Sequence, residues 1–249
     1  MTAIAIYGAG PALGMAVARR FGREGFRVAL VARSRERLDG MARDLAADGI
    51  EAAGFQADIV DRSAALRAAD QIEARFGAID VLEHSPTPGR TPGRLFTSPF
   101  EVDVATVTPL LDLYLLTPIA LVGRVLPGMR ERGHGGLLFA MGAAAKYPIP
   151  RLAAGGIALS GLRSYVHTLN SALSETGVYA GALLIGATIE NSQTHRSGTA
   201  PAIGEQPQAV VPAGKLAGHL WEMYTKRDRS EDVVASALAG SAIRGEGTQ

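Results

Sequence analysis

Short, continuous apolar runs alternate with segments of helical periodicity along most of this sequence. The first run, AIAIYGAG (Ala3–Gly10), is followed by ALGMAVARRFGREG, in which Leu13, Val17 and Phe21 recur at helical spacing. A continuous apolar run of this length is typical of a strand covered on both faces. Apolar residues at every fourth position are typical of a helix with one buried face. The pattern therefore predicts a β-strand followed by an α-helix.

The same strand–helix unit repeats down the chain. Further strands are predicted at Arg27–Ser34, Glu51–Ile59, Ala78–Ser85, Gly135–Gly142 and Val178–Gly186, with a last edge strand at DVVAS. Helices are predicted at Arg35–Gly49, Arg62–Phe76, Phe100–Arg132, Leu152–Gly177 and Gly214–Arg227. Repeated units of this kind form right-handed crossovers and a parallel sheet with helices on both faces. The sequence predicts a single doubly wound, Rossmann-type α/β domain over residues 1–249, with about seven strands in its sheet.

Two segments lack this periodicity. Ala187–Ala213 is polar and contains Pro201, Pro207 and Pro212, which favours a mobile flap over the carboxyl edge of the sheet. The tail at residues 241–249 has no periodic pattern, and we expect it to be disordered.

Composition narrows the class of protein. The chain has no cysteine, which excludes disulfides, thiolate metal sites and a cysteine nucleophile, and we expect no metal site. Its net charge of +1 gives no electrostatic reason to expect nucleic acid or an anionic membrane as a partner. The first residues lead directly into a strand without the charged region of a signal peptide, so we expect a cytoplasmic location.

The most apolar long segment is Val107–Met129. Asp112, Arg124 and three prolines interrupt it, and its longest uncharged run is shorter than the ~20 apolar residues of a membrane span. We expect no membrane partner and interpret the segment as a buried or subunit-interface helix.

The loop YGAGPALG (Tyr7–Gly14) joins the first strand to the first helix. Gly8, Gly10 and Gly14 lack Cβ atoms, and the helix start offers free N–H groups; both features suit a pyrophosphate. A tight strand-to-helix turn without a ligand is the alternative explanation.

The end of the second strand indicates which dinucleotide is bound. An NAD site usually has an acidic residue here, whereas this chain has Ala32, Arg33, Ser34 and Arg35. A guanidinium beside a hydroxyl suits a 2′-phosphate, so the sequence favours NADP(H) over NAD(H). Solvated surface charges are the alternative.

With these motifs, the sequence resembles the short-chain dehydrogenase/reductase family of the compact type over Ala3–Gly186. YGAGPALG resembles the family's TGxxxGxG loop, with Tyr7 for Thr and Ala12 for the middle Gly. ADIVD (Ala57–Asp61) resembles the segment with the adenine-contacting Asp, IDVLEHSPTP stands for the NNAG strand, and LPGM closes the long helix as in the family.

The resemblance implies a set of cofactor contacts. They are Gly8, Gly10, Ala12, Leu13 and Gly14 at the pyrophosphate, Arg33 and Ser34 at the adenosine phosphate, Asp58 and Ile59 at the adenine, Ser85 near the ribose, and Gly186 and Ile189 near the nicotinamide amide. Ile185 and Ile189 replace the Pro and Thr of the family's PGxxT segment.

The family's catalytic tetrad is missing. In the family, a Tyr acts as general acid beside a Lys four residues later, a Ser orients the substrate oxygen, and an Asn in the long helix supports a proton relay. The Asn position falls here on Tyr114, the Ser position on Ala143 or Gly142, the Tyr position on Gly155 or Gly156, and the Lys position on Leu159 or Ser160. Neither choice of register restores the set.

Three functions remain open. The first, which we favour, is an NADP(H)-dependent oxidoreductase acting on a small carbonyl or alcohol through a relocated proton donor. Its candidate donors are Tyr147, Lys146, Tyr114 and His84, although each also has a purely structural explanation. The second is non-redox chemistry on the same scaffold, such as isomerisation, cyclisation or elimination, and the third is a non-catalytic nucleotide sensor.

The helices around residues 101–131 and 152–176 are more apolar than exposed helices should be. In the family, the corresponding helices form a four-helix subunit interface, so the resemblance implies a homodimer or homotetramer. The Gly155–Gly156 pair would allow backbones to approach closely there.

Overall fold

The computed structural model describes residues 2–87, 95–198 and 209–235. The strands are β1 (Ala3–Tyr7), β2 (Arg27–Ala32), β3 (Ala52–Gln56), β4 (Val81–His84), β5 (Gly135–Gly142), β6 (Val178–Gly186), β7 (Thr188–Ile189), β8 (Val210–Val211) and β9 (Glu231–Ala235). Seven of them form one parallel sheet in the order β3-β2-β1-β4-β5-β6-β9. The predicted parallel α/β architecture is confirmed, including the last edge strand.

Helices cover both faces of this sheet. They are α1 (Leu13–Gly22), α2 (Arg35–Ala47), α3 (Arg62–Phe76), α4 (Val104–Leu111), α5 (Thr117–Glu131), α6 (Ala153–Ala172), α7 (Gln193–Arg196) and α8 (Ala213–Lys226). One apolar core lies between the sheet and α1, α2 and α8, and the other between the sheet and α3 to α6. The fold is therefore doubly wound.

The first strand shows why its sequence is apolar at every position. Ala3, Ala5 and Tyr7 point into the core beneath α3 to α6, whereas Ile4 and Ile6 point into the core beneath α1 and α8. Successive strand residues alternate between faces, so a strand buried on both faces needs a continuous apolar run.

Side-chain caps define where several helices begin. Ser34 accepts a hydrogen bond from the Arg37 N–H at the start of α2, and Asp61 accepts one from the Ala64 N–H at the start of α3. Asp103 forms a capping box that starts α4 at Val104, four residues later than the predicted Phe100. Local hydrogen bonding, which apolar periodicity does not report, sets this boundary.

The predicted flap is described in part. Its ends pair as the short parallel strands β7 and β8, and α7 follows the first of them. Residues 199–208 of the flap and the predicted tail at 241–249 lie outside the described residues.

The long apolar helix packs within the domain. Among the described residues, Val104–Glu131 is long and apolar enough to cross a membrane by length and composition alone, and 33% of its most apolar window is buried. It lies against α3 and α6, and two of its charges pair with α3, Asp112 with Arg62 and Arg124 with Asp70. These contacts identify it as a packed helix of this fold, in agreement with the sequence-based interpretation.

Two consecutive residues of β4, Glu83 and His84, have fully buried ionisable side chains that point to opposite faces of the sheet. Burial raises the pKa of Glu83 to about 8 and lowers the pKa of His84 to about 3. Neither side chain has a hydrogen-bond partner in the part of the chain that the structure describes. The nearby Ser85 hydroxyl opposes this rise in the pKa of Glu83, but its effect is smaller than that of burial. The hydroxyl is too poorly placed to form a regular hydrogen bond with the carboxyl group. Both groups are therefore mainly neutral at pH 7.

Glu83 should make the folded state less stable as the pH rises. An unfolded glutamate ionises near pH 4.5, whereas folded Glu83 keeps its proton until about pH 8, so its contribution is lost across this interval. His84 has the opposite linkage between pH 3 and its unfolded pKa of 6.5, so the two effects cancel between pH 4.5 and 6.5. From pH 6.5 to 8, we expect the free energy of unfolding to fall by about 2 kcal/mol.

Urea unfolding across this pH range tests the expectation with Glu83→Val and the isosteric Glu83→Gln. Both substitutions should remove the decline, and Glu83→Val should also stabilise the protein because it removes an unpaired buried carboxyl group. A decline of equal size in the wild type and both variants would contradict the assignment.

Candidate functional site

The glycine loop after β1 has two glycines that its own packing requires. Gly8 has φ +92°, and a Cβ atom there would lie 2.7 Å from the Pro86 Cα. A Cβ atom on Gly14 would lie 2.9 Å from the Ala9 Cα. Hydrogen bonds of 3.0 Å from the Gly8 and Ala9 N–H groups to the Val31 carbonyl fix the loop to β2. The packing of the loop therefore requires glycine at residues 8 and 14 whether or not a ligand binds there.

Gly10 is different. The nearest atom to a Cβ atom built on Gly10 is the Gly8 carbonyl oxygen at 3.9 Å, so no described part of the protein requires a glycine there. Ala12, which precedes α1, makes no side-chain capping bond, and the Leu13 side chain is buried. The loop thus presents a bare backbone and an uncapped helix N-terminus, a combination that suits an anion.

The basic residues at the end of β2 have separate roles. Ser34 is the cap of α2, and Arg35 pairs with Asp39 at 3.2 Å along its own helix. Arg33 is exposed, and its guanidinium has no ion pair or hydrogen bond within the described residues. Arg33 is therefore the guanidinium available to an anionic ligand beside the loop.

The other predicted cofactor residues follow the ends of neighbouring strands. Asp58 is exposed after β3, and its carboxylate accepts the Val60 N–H at 3.2 Å, whereas Ile59 is mostly buried. The Ser85 N–H donates to the Tyr7 carbonyl at 3.1 Å, next to Gly8. These residues lie along one carboxyl edge of the sheet, together with Gly186 at the end of β6 and Ile189 in β7.

A cavity of about 170 Å³ opens at this edge. The described residues that line it are Pro86, Leu95, Tyr114, Met141, Gly142, Ala143, Ala144, Ile149, Leu152, Gly155, Leu159, Ile185, Gly186 and Ala187. Tyr114 is the one side chain among these with a hydroxyl, amide or charged group. The described side chains of the lining are therefore apolar apart from a single phenol.

All four positions that correspond to the family's tetrad reach this cavity. Tyr114, Ala143, Gly155 and Leu159 line it, whereas Gly156 and Ser160 do not. The structure thus brings one residue of each predicted position to the same cavity.

Leucine side chains fill the space beside these positions. A Cβ atom on Gly155 would lie 2.5 Å from the Leu95 Cδ1, so Leu95 covers this glycine directly. A Cβ atom on Gly142 would lie 3.6 Å from the Leu159 Cδ1. Leu95 is the site residue that sequence reasoning missed, because it follows a stretch rich in proline and glycine and lies 60 positions from the glycine that it covers.

Tyr114 lies in a π-helical turn, Asp112–Leu116, that interrupts the long helix. The Thr117 N–H donates to the Asp112 carbonyl five residues earlier, and Pro118 has no N–H for the carbonyl of Tyr114. The Tyr114 side chain is 6% exposed and makes no hydrogen bond within the described residues. Burial raises its pKa above the ordinary value of 10.0, so the phenol keeps its proton.

The other proton-donor candidates lie elsewhere. Lys146 Nζ is 2.8 Å from Glu231 Oε1, and its ammonium lies over the Tyr147 ring at 5.8 Å. His84 is buried beside Phe139, with 6.4 Å between ring centroids. None of these three candidates is among the described residues that line the cavity.

The partner of Lys146 belongs to a larger ionic cluster. Arg163 and His167 of α6 also contact the Glu231 carboxylate, and the Ser230 hydroxyl contacts the other ring nitrogen of His167. Burial alone would raise the pKa of Glu231, but the hydrogen bonds from Arg163, Lys146 and His167 lower it to about 2. The cluster links β9 to α6 and to the loop that follows β5.

Comparison with known proteins agrees with this architecture. The sequence profile of the short chain dehydrogenases matches residues 2–198. A short chain dehydrogenase of Pseudocercospora fijiensis is 29% identical over 178 residues, which cover 72% of this chain and 57% of the relative. The chain spans about half the length of the curated relatives it matches.

Solved structures share the fold over nearly their whole length. L-Sorbose reductase from Gluconobacter frateurii, complexed with NADPH and L-sorbose, has a TM-score of 0.81 at 18% identity, covering 96% of this chain and 97% of that one. A short chain oxidoreductase from Pseudomonas aeruginosa PAO1, described as containing an atypical catalytic center, has a TM-score of 0.81 at 19% identity, covering 95% and 97%. Because the family profile matches most of its length, this chain belongs to the short chain dehydrogenase family.

Proposed function

We propose that this protein is an NADP(H)-dependent oxidoreductase that interconverts a small carbonyl compound and its alcohol. The observation that carries the proposal is the cavity at the same sheet edge as the glycine loop, which Gly186 and one protonated phenol, Tyr114, both line. The family to which the chain belongs makes redox chemistry the best-supported use of this edge.

The described residues fit a dinucleotide phosphate. The bare backbone at Gly10 and the uncapped start of α1 suit the pyrophosphate, and the unpaired Arg33 suits a 2′-phosphate. The L-sorbose reductase of similar fold is complexed with NADPH, which supports the same preference. When bound, NADP(H) supplies or accepts the hydride.

In this proposal, Tyr114 donates a hydrogen bond to the substrate oxygen. The phenol has no other partner within the described residues, and the apolar side chains around it lower the local dielectric constant, which strengthens a hydrogen bond to developing negative charge. Because burial raises its pKa and none of the described lining residues is a lysine that would lower it, Tyr114 orients the substrate oxygen as a neutral hydrogen-bond donor. Water supplies the proton that completes the alcohol in the reduction and accepts it in the oxidation. We expect a slow enzyme compared with one that has an activated tyrosine.

We further propose that a second copy of the chain covers the outer faces of the long helix and α6. Leu116, Ile119 and Ile157 are 36%, 37% and 50% exposed on these helices, more than apolar side chains of this size usually are. The result would be a homodimer or homotetramer. A monomeric mass in solution would contradict this arrangement.

Gly10→Ala should separate ligand binding from folding. The new methyl group meets no described protein atom closer than 3.9 Å, so the melting temperature should stay close to that of the wild type. The same methyl would obstruct a pyrophosphate on the backbone, and NADPH should bind at least 10-fold more weakly.

The measurements are a fluorescence titration with NADPH and a thermal melt. Gly40→Ala in α2, which also has open space around it, serves as the matched control and should leave binding unchanged. If Gly10→Ala bound NADPH as tightly as the wild type, the loop would not contact the pyrophosphate.

Arg33→Ala should weaken NADPH binding at least 10-fold and leave NADH binding almost unchanged, because a charge-assisted hydrogen bond to phosphate contributes about 1.5–3 kcal/mol. Arg35→Ala is the control, since Arg35 is engaged with Asp39. Titration of each variant with both cofactors checks the assignment. Equal losses for NADPH and NADH would refute a 2′-phosphate contact at Arg33.

Tyr114→Phe should lower kcat by about 10- to 100-fold with little change in stability, because the hydroxyl makes no hydrogen bond within the described structure. In the wild type, kcat/KM should show no ionisation of this group between pH 6 and 9, because its pKa is raised above 10.0. Steady-state kinetics of the variant and a wild-type pH profile test both points.

Tyr147→Phe is the matched control, because Tyr147 lies outside the described cavity lining. It should keep kcat within about 2-fold of the wild type. A larger loss in Tyr147→Phe than in Tyr114→Phe would assign the proton donor to Tyr147.

A further inference from the structure

Leu95 occupies the part of the cavity that lies over Gly155. Its Cδ1 is 2.5 Å, and its Cγ 3.4 Å, from the position of a Cβ atom on that glycine. These distances are too short for any side chain at residue 155 to coexist with Leu95 in its present position. The missing side chain on α6 and the presence of Leu95 are therefore two parts of one packing arrangement.

The segment that carries Leu95 is attached to the start of α6. The Ala153 N–H donates to the Thr97 carbonyl at 3.1 Å, and the Arg151 guanidinium lies over the Phe96 ring at 5.4 Å. Thr97 itself is buried. Backbone contacts two residues away thus position Leu95, so its place in the cavity follows from the fold.

The size of the cavity limits what can enter beside Leu95. About 170 Å³ is close to the ~150 Å³ of an apolar cavity that holds a single benzene ring. If the proposed nicotinamide occupies the end at Gly186, only part of this volume remains for substrate. Ile149, Leu152 and Leu159, which also line the cavity, are aliphatic.

We propose that Leu95 is the residue that sets the size of the substrate. With leucine at this position, the site accepts aldehydes and ketones that have short aliphatic substituents and rejects those with a ring next to the carbonyl. Forcing extra carbon atoms into a well-packed apolar site costs about 1–3 kcal/mol, which corresponds to about 5- to 150-fold in kcat/KM. This inference rests on the proposed oxidoreductase function.

The test compares Leu95→Ala with the wild type on two ketones, butanone and acetophenone, using NADPH. Removing the three terminal carbons of Leu95 should raise the ratio of kcat/KM for acetophenone over butanone at least 10-fold. Leu169→Ala is the control: Leu169 is a partly buried leucine of α6 outside the described cavity lining, and the ratio should not change. An unchanged ratio in Leu95→Ala would overturn the inference.

A binding experiment without cofactor separates this inference from the proposed function. In a fluorine NMR titration, 1-fluoronaphthalene should bind Leu95→Ala at least 10-fold more tightly than the wild type or Leu169→Ala. If no variant reduces any ketone but this gain is seen, the proposed function fails and the steric role of Leu95 stands. If Leu95→Ala shows no gain in binding, Leu95 does not limit the cavity and the inference is wrong.

Discussion

The close contact between Gly8 and Pro86 joins the two parts of the carboxyl edge that form the candidate site. With φ +92° and no Cβ, Gly8 lets the loop after β1 pass directly against the segment after β4. This contact places the glycine loop next to the cavity, because the loop leads into α1 on one side of it and Pro86 lines the cavity on the other. Any side chain at residue 8 would separate them, since a Cβ atom would lie 2.7 Å from backbone.

The chemistry of the cavity follows from what replaces the tetrad. At the positions that the resemblance assigns to the Tyr and Lys of the family, a glycine covered by Leu95 and the aliphatic Leu159 line the cavity in this chain. No cation of the described lining lowers the pKa of Tyr114, and burial raises it. A neutral phenol in an apolar pocket orients and stabilises the substrate oxygen by hydrogen bonding, but its high pKa makes it a weak general acid.

The elements of the sheet could be predicted from the sequence, because strands buried on both faces require continuous apolar runs such as Ala3–Tyr7. The alignment of motifs also predicted Tyr114 and either Gly155 or Gly156 as site positions, and Tyr114 and Gly155 line the cavity. The π-helical turn around Tyr114 was not predicted, because it depends on the hydrogen bonding of a single turn and not on apolar periodicity.

Contacts between distant parts of the chain determine two features that could not be predicted from the sequence, the position of Lys146 and the contact between Leu95 and Gly155. Lys146 pairs with Glu231, 85 positions away, and no local sequence pattern predicts this pair. Lys146 is not among the described residues that line the cavity. Leu95 and Gly155 are adjacent only because the segment before α4 docks on α6. Local patterns thus predict elements and motif positions, whereas the side chains that fill the cavity depend on tertiary packing.

The central claim, a redox enzyme built around an apolar cavity, is tested most directly by a single-turnover experiment. The protein is first titrated with NADPH by fluorescence, and butanone or a short aliphatic aldehyde is then added while the absorbance of the reduced nicotinamide is followed. The account predicts that NADPH binds and is oxidised with one equivalent of alcohol formed. Failure to bind NADPH, or binding with no oxidation by any small carbonyl compound, would contradict it.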